Sequence, residues 1–263
     1  MPKIIDLTRG LGERVVFWID YVGALTKLFF QTIFWIFVPP FKRERTFDQA
    51  QKIGVDSLMI VSLVAFFIGV ILALQTAYQM QKLSSEIYIA NIVAVSLVRE
   101  LGPVITSLIV AGRCGAAVTA ELGTMNVTEQ IDALSTLATS PVKYLVVPRF
   151  LAFMFMLPIL TIYADIIGII GGYLICVHRL GITSGMYWNM AFHSLRVKDL
   201  STGLIKTIVF GIIIAMVGCL EGLRVEGGAE GVGKATTKSV VMSFILIIAA
   251  DCVFTAIFYF IFP

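Results

Sequence analysis

The residues of this chain that could do chemistry are few, and most stand where charge is expensive. Arg99 and Glu100 open one apolar run, and Asp165 and Asp251 lie in the middle of two others. Ionisable groups at membrane depth pair with one another or mark a functional path. Arg99 and Glu100 fit either an interfacial anchor pair or the polar rim of a lipid pocket. In the second case Arg99 attracts a phosphate and Glu100 pairs with it or tunes it. Asp165 and Asp251 fit either neutralised carboxyl groups bonded across helix interfaces or the proton-relay groups of an ion-coupled secondary transporter. The run Gly228–Lys234, read as a loop, imitates the phosphate-binding GxxxxGK pattern. Ala235 follows it where Ser or Thr must ligate magnesium, and no strand precedes it, so nucleotide binding is rejected. His178 and His193 lack a third ligand. Cys114, Cys176, Cys219 and Cys252 each sit alone in apolar sequence, as small buried hydrophobes do. No arrangement of Ser, His and Asp or of Cys and His looks catalytic, so the chain reads as a non-enzyme with neither metal nor cofactor of its own.

The positions of these groups matter because of what surrounds them. Of 263 residues, 58% are hydrophobic and 14% charged, with a mean hydropathy of +0.93. Soluble domains rarely exceed half apolar residues, so an all-α integral membrane protein is expected. The net charge of +3 is small and its basic residues are scattered, which argues against nucleic acid. The N-terminus has no cleavable signal pattern, because its apolar run begins late and is too long.

Residues 15–38 are apolar but carry Asp20, Lys27 and Gln31, which with Glu13 recur at seven, seven and four residues. At 3.6 residues per turn they form one narrow stripe. A helix lying in the interface keeps that stripe wet, whereas a spanning helix would bury it in lipid. Pro39 and Pro40 stop this helix, and Lys42, Arg43 and Arg45 follow as a basic cluster. Five spans are expected at about 54–78, 93–120, 146–177, 202–223 and 240–262, each near the twenty or more residues that cross a bilayer. Gly112, Ala116 and Ala120, and again Ala164, Gly168 and Gly172, form small-residue ladders for close helix approach. Pro158 is a potential kink. The segment 178–200 reads as a polar external loop. Basic residues favour the side holding Lys42, Lys143 and Lys238 over the side holding Arg179, Lys198 and Lys206, which places the N-terminus in the cytoplasm and the C-terminus opposite.

Between the second and third spans, residues 125–138 form a helix too polar and too short to cross. Asn126 with Glu129 fits a capping box, and Val127, Ile131, Leu134 and Ala138 make one apolar face. A surface loop helix and a helix docking on a partner account for this pattern equally well.

The stretch RELGPVITSLIVAGRCGAAVTAELGTMNVTEQIDALSTLATSPVKYLVVPR (Arg99 to Arg149) and the later block EGVGKATTKSVV (Glu230 to Val241) resemble the MlaE (YrbE) family of permeases. These are the membrane subunits of lipid-transporting ABC systems. The resemblance covers roughly residue 47 to the end, leaving 1–46 as an interfacial elbow helix and basic linker. It implies a coupling helix at 125–138, with Glu121, Asn126, Thr128, Glu129, Ile131, Asp132 and Leu134 in contact with an ATPase. It implies a lipid site in which Leu74, Gln75 and Tyr78 join Arg99 and Glu100. As partners it implies a second copy of the chain, two ATPase subunits that bind ATP and Mg, an MCE-domain lipid carrier (a hexamer) and a small STAS-type subunit. The setting it implies is a bacterial inner membrane, where such systems move phospholipid and maintain outer-membrane lipid asymmetry.

Overall fold

In a bilayer the backbone of an apolar run has no partner but itself, so the run closes into helix. A computed structural model describes residues 2–39, 43–82, 85 and 88–261, with side chains for 16, 18–39, 43–82, 85 and 88–260, and holds no strand among them. Helix α1 spans Pro2–Ile36. α2 (Arg43–Ile53) runs through a 3-10 turn at Val55–Ser57 into α3 (Leu58–Gln81). α4 (Ile89–Ser96), α5 (Gly102–Val110) and α6 (Ala116–Val127) form one rod, joined by π-helical turns at Leu97–Leu101 and Ala111–Gly115. α7 is Gln130–Thr136, and a π turn at Val142–Val146 leads into α8 (Val147–His178). α9 (Ser184–Ser194), α10 (Val197–Leu223) and α11 (Gly228–Ile261) follow.

Five segments are long and apolar enough to cross a membrane: Arg43–Gln81, Ile89–Val127, Val142–His178, Val197–Leu223 and Gly228–Phe260. α1 is not among them. Its Asp20, Lys27 and Gln31 are exposed, while Tyr21, Leu28 and Thr32, one position round the helix, are buried against the bundle. The side chain of Glu13, residues Pro40 and Lys42, and the end of the last expected span at Phe262 lie outside the described residues.

α10 is the central post, with 67% of its apolar window buried inside the chain against 17% for α11. α8 packs along α3 through glycine. A Cβ on Gly69 would lie 1.9 Å from the Gly168 carbonyl oxygen, and one on Gly171 would lie 2.4 Å from that of Phe66. The ladder at Ala164, Gly168 and Gly172 therefore does bring backbones together. The ladder at Gly112 does not, because Gly112 is exposed and the nearest neighbour of an added Cβ is Phe244, at 3.9 Å. The close approach is displaced round the helix, to Thr119 against Gly218 and Leu122 against Gly222.

Two expectations are corrected by where helices begin. The supposed external loop at 178–200 contains α9, which forms because Tyr187 and Ala191 are buried on the bundle, with the Tyr187 hydroxyl donating to the Ile169 carbonyl at 2.9 Å. The glycine-rich run before the last span is no loop, since α11 starts at Gly228. The left-handed φ of Gly227 and Gly228 makes the turn before it. α8 is continuous through Pro158.

Candidate functional site

Glu100 sits in the π turn Leu97–Leu101, a widened turn of the kind that recurs at functional sites. Facing it, Lys206 of α10 is fully buried, at 0% exposure. Its Nζ lies 2.5 Å from Glu100 Oε2, 2.9 Å from Asp251 Oδ1 and 2.8 Å from Thr255 Oγ1. An ammonium has three donors and no acceptor; here Glu100 and Thr255 accept hydrogen bonds from it and Asp251 faces it as an ion pair. That compensation allows the charge to be buried, since an isolated ion at this depth costs several kcal/mol. The Thr255 hydroxyl also reaches Glu100, at 3.2 Å from Oε2. The two carboxylates keep a partial opening, Glu100 34% and Asp251 22% exposed, so the cluster has one accessible edge and a formal charge of −1. Arg99, the neighbour of Glu100, has no ion pair among the described residues.

The expectation that Lys206 lies among the charges outside the membrane is corrected, and Asp251 meets a partner across a helix interface, one of its two expected settings. α10 begins nine residues before Lys206, so the lysine lies two to three turns inside the helix, where Asp251 is its counter-ion. The spacing of Asp251 and Thr255, four residues apart on one helical face, was the signal available in the sequence. Asp165 belongs elsewhere. It is buried in α8 against the backbone of Gly102, where a Cβ would stand 1.8 Å from Oδ1, and that oxygen lacks a hydrogen-bond partner among the described residues.

At the other end of the rod the charges are paired through helix ends. Arg149, 4% exposed, meets Glu121 at 2.7 Å and donates to the Leu145 carbonyl. Buried Glu221 meets Lys238 at 3.0 Å, next to Tyr21 of α1. Burial, followed by the neighbouring Glu221 carboxylate, pushes the Tyr21 phenol above its ordinary value. Arg113 donates to Ser57 Oγ at 2.7 Å.

The expected helix at 125–138 is divided. α6 runs on to Val127, so Asn126 is inside a helix and caps nothing. Its Nδ2 donates to the Val225 carbonyl at 2.9 Å. Packing rather than propensity carries the rod past the predicted start, with Leu122 buried and Gly123 lying against Val225. Glu129 then turns the chain with a left-handed φ of 60°. On α7, Ile131 is 7% exposed and belongs to the chain's own core, and Leu134 packs beside it. Of the expected apolar face Ile131 and Leu134 are thus occupied by the chain itself, while Val127 and Ala138 are exposed, as are Thr128, Glu129, Gln130 and Asp132 on the polar side. Leu74, Gln75 and Tyr78 are exposed on α3, with no hydrogen bond or ion pair to Arg99 or Glu100 among the described residues. Cys252 is exposed, unlike the other three cysteines, which corrects the reading of all four as buried.

The run Gly228–Lys234 forms the first turns of α11, and Lys234 pairs with Glu230 at 2.6 Å, so no strand-loop-helix cradle for phosphates exists there. Among the described residues no group of three metal-ligating side chains occurs.

These features define a multi-pass helical membrane protein with a satisfied ion cluster in its spans and an exposed polar helix at one end. The family model described as Permease MlaE matches residues 46–257. The chain is 42% identical over 256 residues to a probable ABC transporter permease protein of Rickettsia felis, covering 97% of this chain and 99% of that one. It is 35% identical over 260 residues to the intermembrane phospholipid transport system permease protein MlaE of Haemophilus influenzae, covering 97% and 98%. Over 214 residues it is 38% identical to protein TRIGALACTOSYLDIACYLGLYCEROL 1 of Arabidopsis thaliana, covering 81% of this chain and 61% of the relative. The chain belongs to the MlaE permease family.

Proposed function

We propose that this chain is the membrane permease subunit of an ABC system that moves phospholipid between a bacterial inner membrane and a periplasmic MCE-domain carrier. The observation that carries the reading is the rod Ile89–Val127. One of its ends holds Glu100 against Lys206, and the other turns at Glu129 into α7, whose polar face is free. ATP and Mg bind to separate ATPase subunits, which dock on Thr128, Glu129, Gln130 and Asp132. Buried Ile131 and partly buried Leu134 fasten α7 to the bundle, so a push on α7 moves the rod rather than a loose loop. The displaced rod shifts Glu100 relative to Lys206, Asp251 and Thr255 and alters the open edge of the cluster. Arg99, without a counter-ion among the described residues, supplies the charge for a lipid phosphate.

Two copies of the chain bring the exposed Leu74, Gln75 and Tyr78 faces round a shared lipid space. The N-terminus is cytoplasmic and the C-terminus periplasmic, as five spans and the basic residues near α7 favour. The name of the Haemophilus relative supports phospholipid as the cargo.

The test is ATP hydrolysis by the assembled complex in lipid nanodiscs. Replacing both Glu129 and Asp132 by Arg should lower ATPase affinity about tenfold, the effect of about 1.4 kcal/mol of lost docking, with the permease still folded. Unchanged affinity would overturn the docking role of α7. Lipid movement by the chain alone, driven by a proton gradient, would instead favour an ion-coupled transporter using Asp165 or Asp251.

A further inference from the structure

At the α7 end of the bundle lies a cavity of about 310 Å³ that the transport reading does not use. It is bounded by the end of α1, the start of α2 and the segment between α7 and α8. Trp35, Arg45, Thr139, Ser140, Lys143 and Tyr144 are in its wall, and no carboxylate is among its lining residues. Both cations are held by neutral groups. The Arg45 guanidinium lies over the Tyr144 ring, 3.4 Å from its centroid, and donates to the Tyr144 hydroxyl. Lys143 Nζ donates to the Pro39 carbonyl at 3.1 Å and stands 5.4 Å from the Trp35 ring. Of five guanidinium and three ammonium donors, these contacts use only a part. A third polar group, Thr46 Oγ1, is buried in the same wall without a hydrogen-bond partner.

Two cations brought to one cavity without a counter-charge repel each other, and an anion between them removes that cost. The volume, that of roughly ten waters, suits a phosphodiester group with its substituent. Beside the lining residues Trp35 and Thr46 in sequence, Phe34 of α1, Phe37 just past its end and Phe47 of α2 are exposed. Exposed aromatic rings next to a tryptophan and basic side chains are the arrangement of a membrane interface, and basic pockets between membrane helices take anionic headgroups.

We infer that this cavity binds the phosphate of an anionic phospholipid in the leaflet on the α7 side, with its acyl chains along the exposed rings. The bound headgroup bridges α1 to Thr139 and Ser140, just beyond α7, and so fixes the base from which α7 projects. This inference needs the chain to lie in a membrane but needs neither the cargo nor the direction of transport.

The experiment uses delipidated full-length chain in neutral detergent. Dioctanoylphosphatidylglycerol, dioctanoylphosphatidylcholine and inorganic phosphate are titrated separately, with native mass spectrometry and thermal shift as readouts. One phosphatidylglycerol per chain is expected to bind at least tenfold tighter than phosphatidylcholine or phosphate and to raise Tm. Arg45→Gln with Lys143→Gln should remove that preference, Lys143→Arg should keep it, and Arg179→Gln, at the far end of α8, should leave it intact. Should the double variant not fold, Thr139→Glu keeps both cations and sets a carboxylate in the wall, with the same loss expected. Equal binding of the two lipids, equal binding of phosphate alone, or loss through Arg179→Gln only would overturn the assignment. Failure of the coupling test on α7 leaves these outcomes unaffected.

Discussion

Lys206 is fully buried against two carboxylates and a hydroxyl, so its charge has no other compensation among the described residues. Removing one partner from such a cluster is therefore worse than removing all of them. Lys206→Met leaves Glu100 and Asp251 facing each other without a cation, and a cost of about 3–5 kcal/mol is expected, read as a fall in Tm in detergent. Combining it with Glu100→Gln and Asp251→Asn should restore most of that loss while transport stays absent. Wild-type stability in the single variant would show that the ion pairs are not made. Glycines offer a second contrast. Gly69→Ala drives a methyl into the Gly168 carbonyl and should separate α3 from α8, whereas Gly112→Ala meets nothing closer than 3.9 Å and should be close to neutral. Thermal unfolding of the two variants side by side distinguishes them.

Among the elements, α7 is short enough to depend on its anchors rather than on helix propensity. Ile131→Arg puts an unpaired charge in the core, so proteolysis at 128–137 should accelerate. Asp132→Arg, on the free face, should leave the cleavage pattern unchanged. α1 is fastened through Tyr21, Leu28 and Thr32, and Tyr21 carries a pH dependence. Its phenol is raised in the folded chain by burial and by Glu221, so the protonated form is the one folding favours. The stabilisation is complete below the unfolded value of about 10 and declines as pH rises above it. Protease release of α1 should therefore increase above pH 10, and Tyr21→Phe should weaken that increase. A flat profile in the wild type would contradict this account of α1 docking.

Over the whole molecule, α3 and α11 expose broad apolar faces, including Leu63, Phe67, Ile71 and Leu74 on one and Ile245, Ile248 and Val253 on the other. Lipid or a second copy must cover them. For the two copies proposed, light scattering in mild detergent should give twice the chain mass of 28.9 kDa after subtraction of the micelle. Topology has its own readout. In a Cys252→Ser background, Gly185→Cys on α9 should react with an impermeant maleimide applied from the periplasmic side. Glu129→Cys should react only after the membrane is opened. The reverse pattern would invert the proposed orientation.

Composition and run length alone determined that the chain is helical, that it lies in a membrane and that five segments can cross. Each of these follows from a backbone that must satisfy its own hydrogen bonds in lipid. The stripe of Asp20, Lys27 and Gln31 was legible for the same reason, since helical periodicity is local. The matched blocks of residues 99–149 and 230–241 carried the family. What no single segment could reveal was which charge meets which. Glu100, Lys206 and Asp251 lie on three separate spans, and their pairing exists only after α10 stands between the rod and α11. Nor could local spacing show that Ile131 faces inward, because an apolar stripe looks the same whether it docks on a partner or on its own chain. Tertiary packing decided both, since burial and charge compensation are properties of the surface an element meets and not of the element itself.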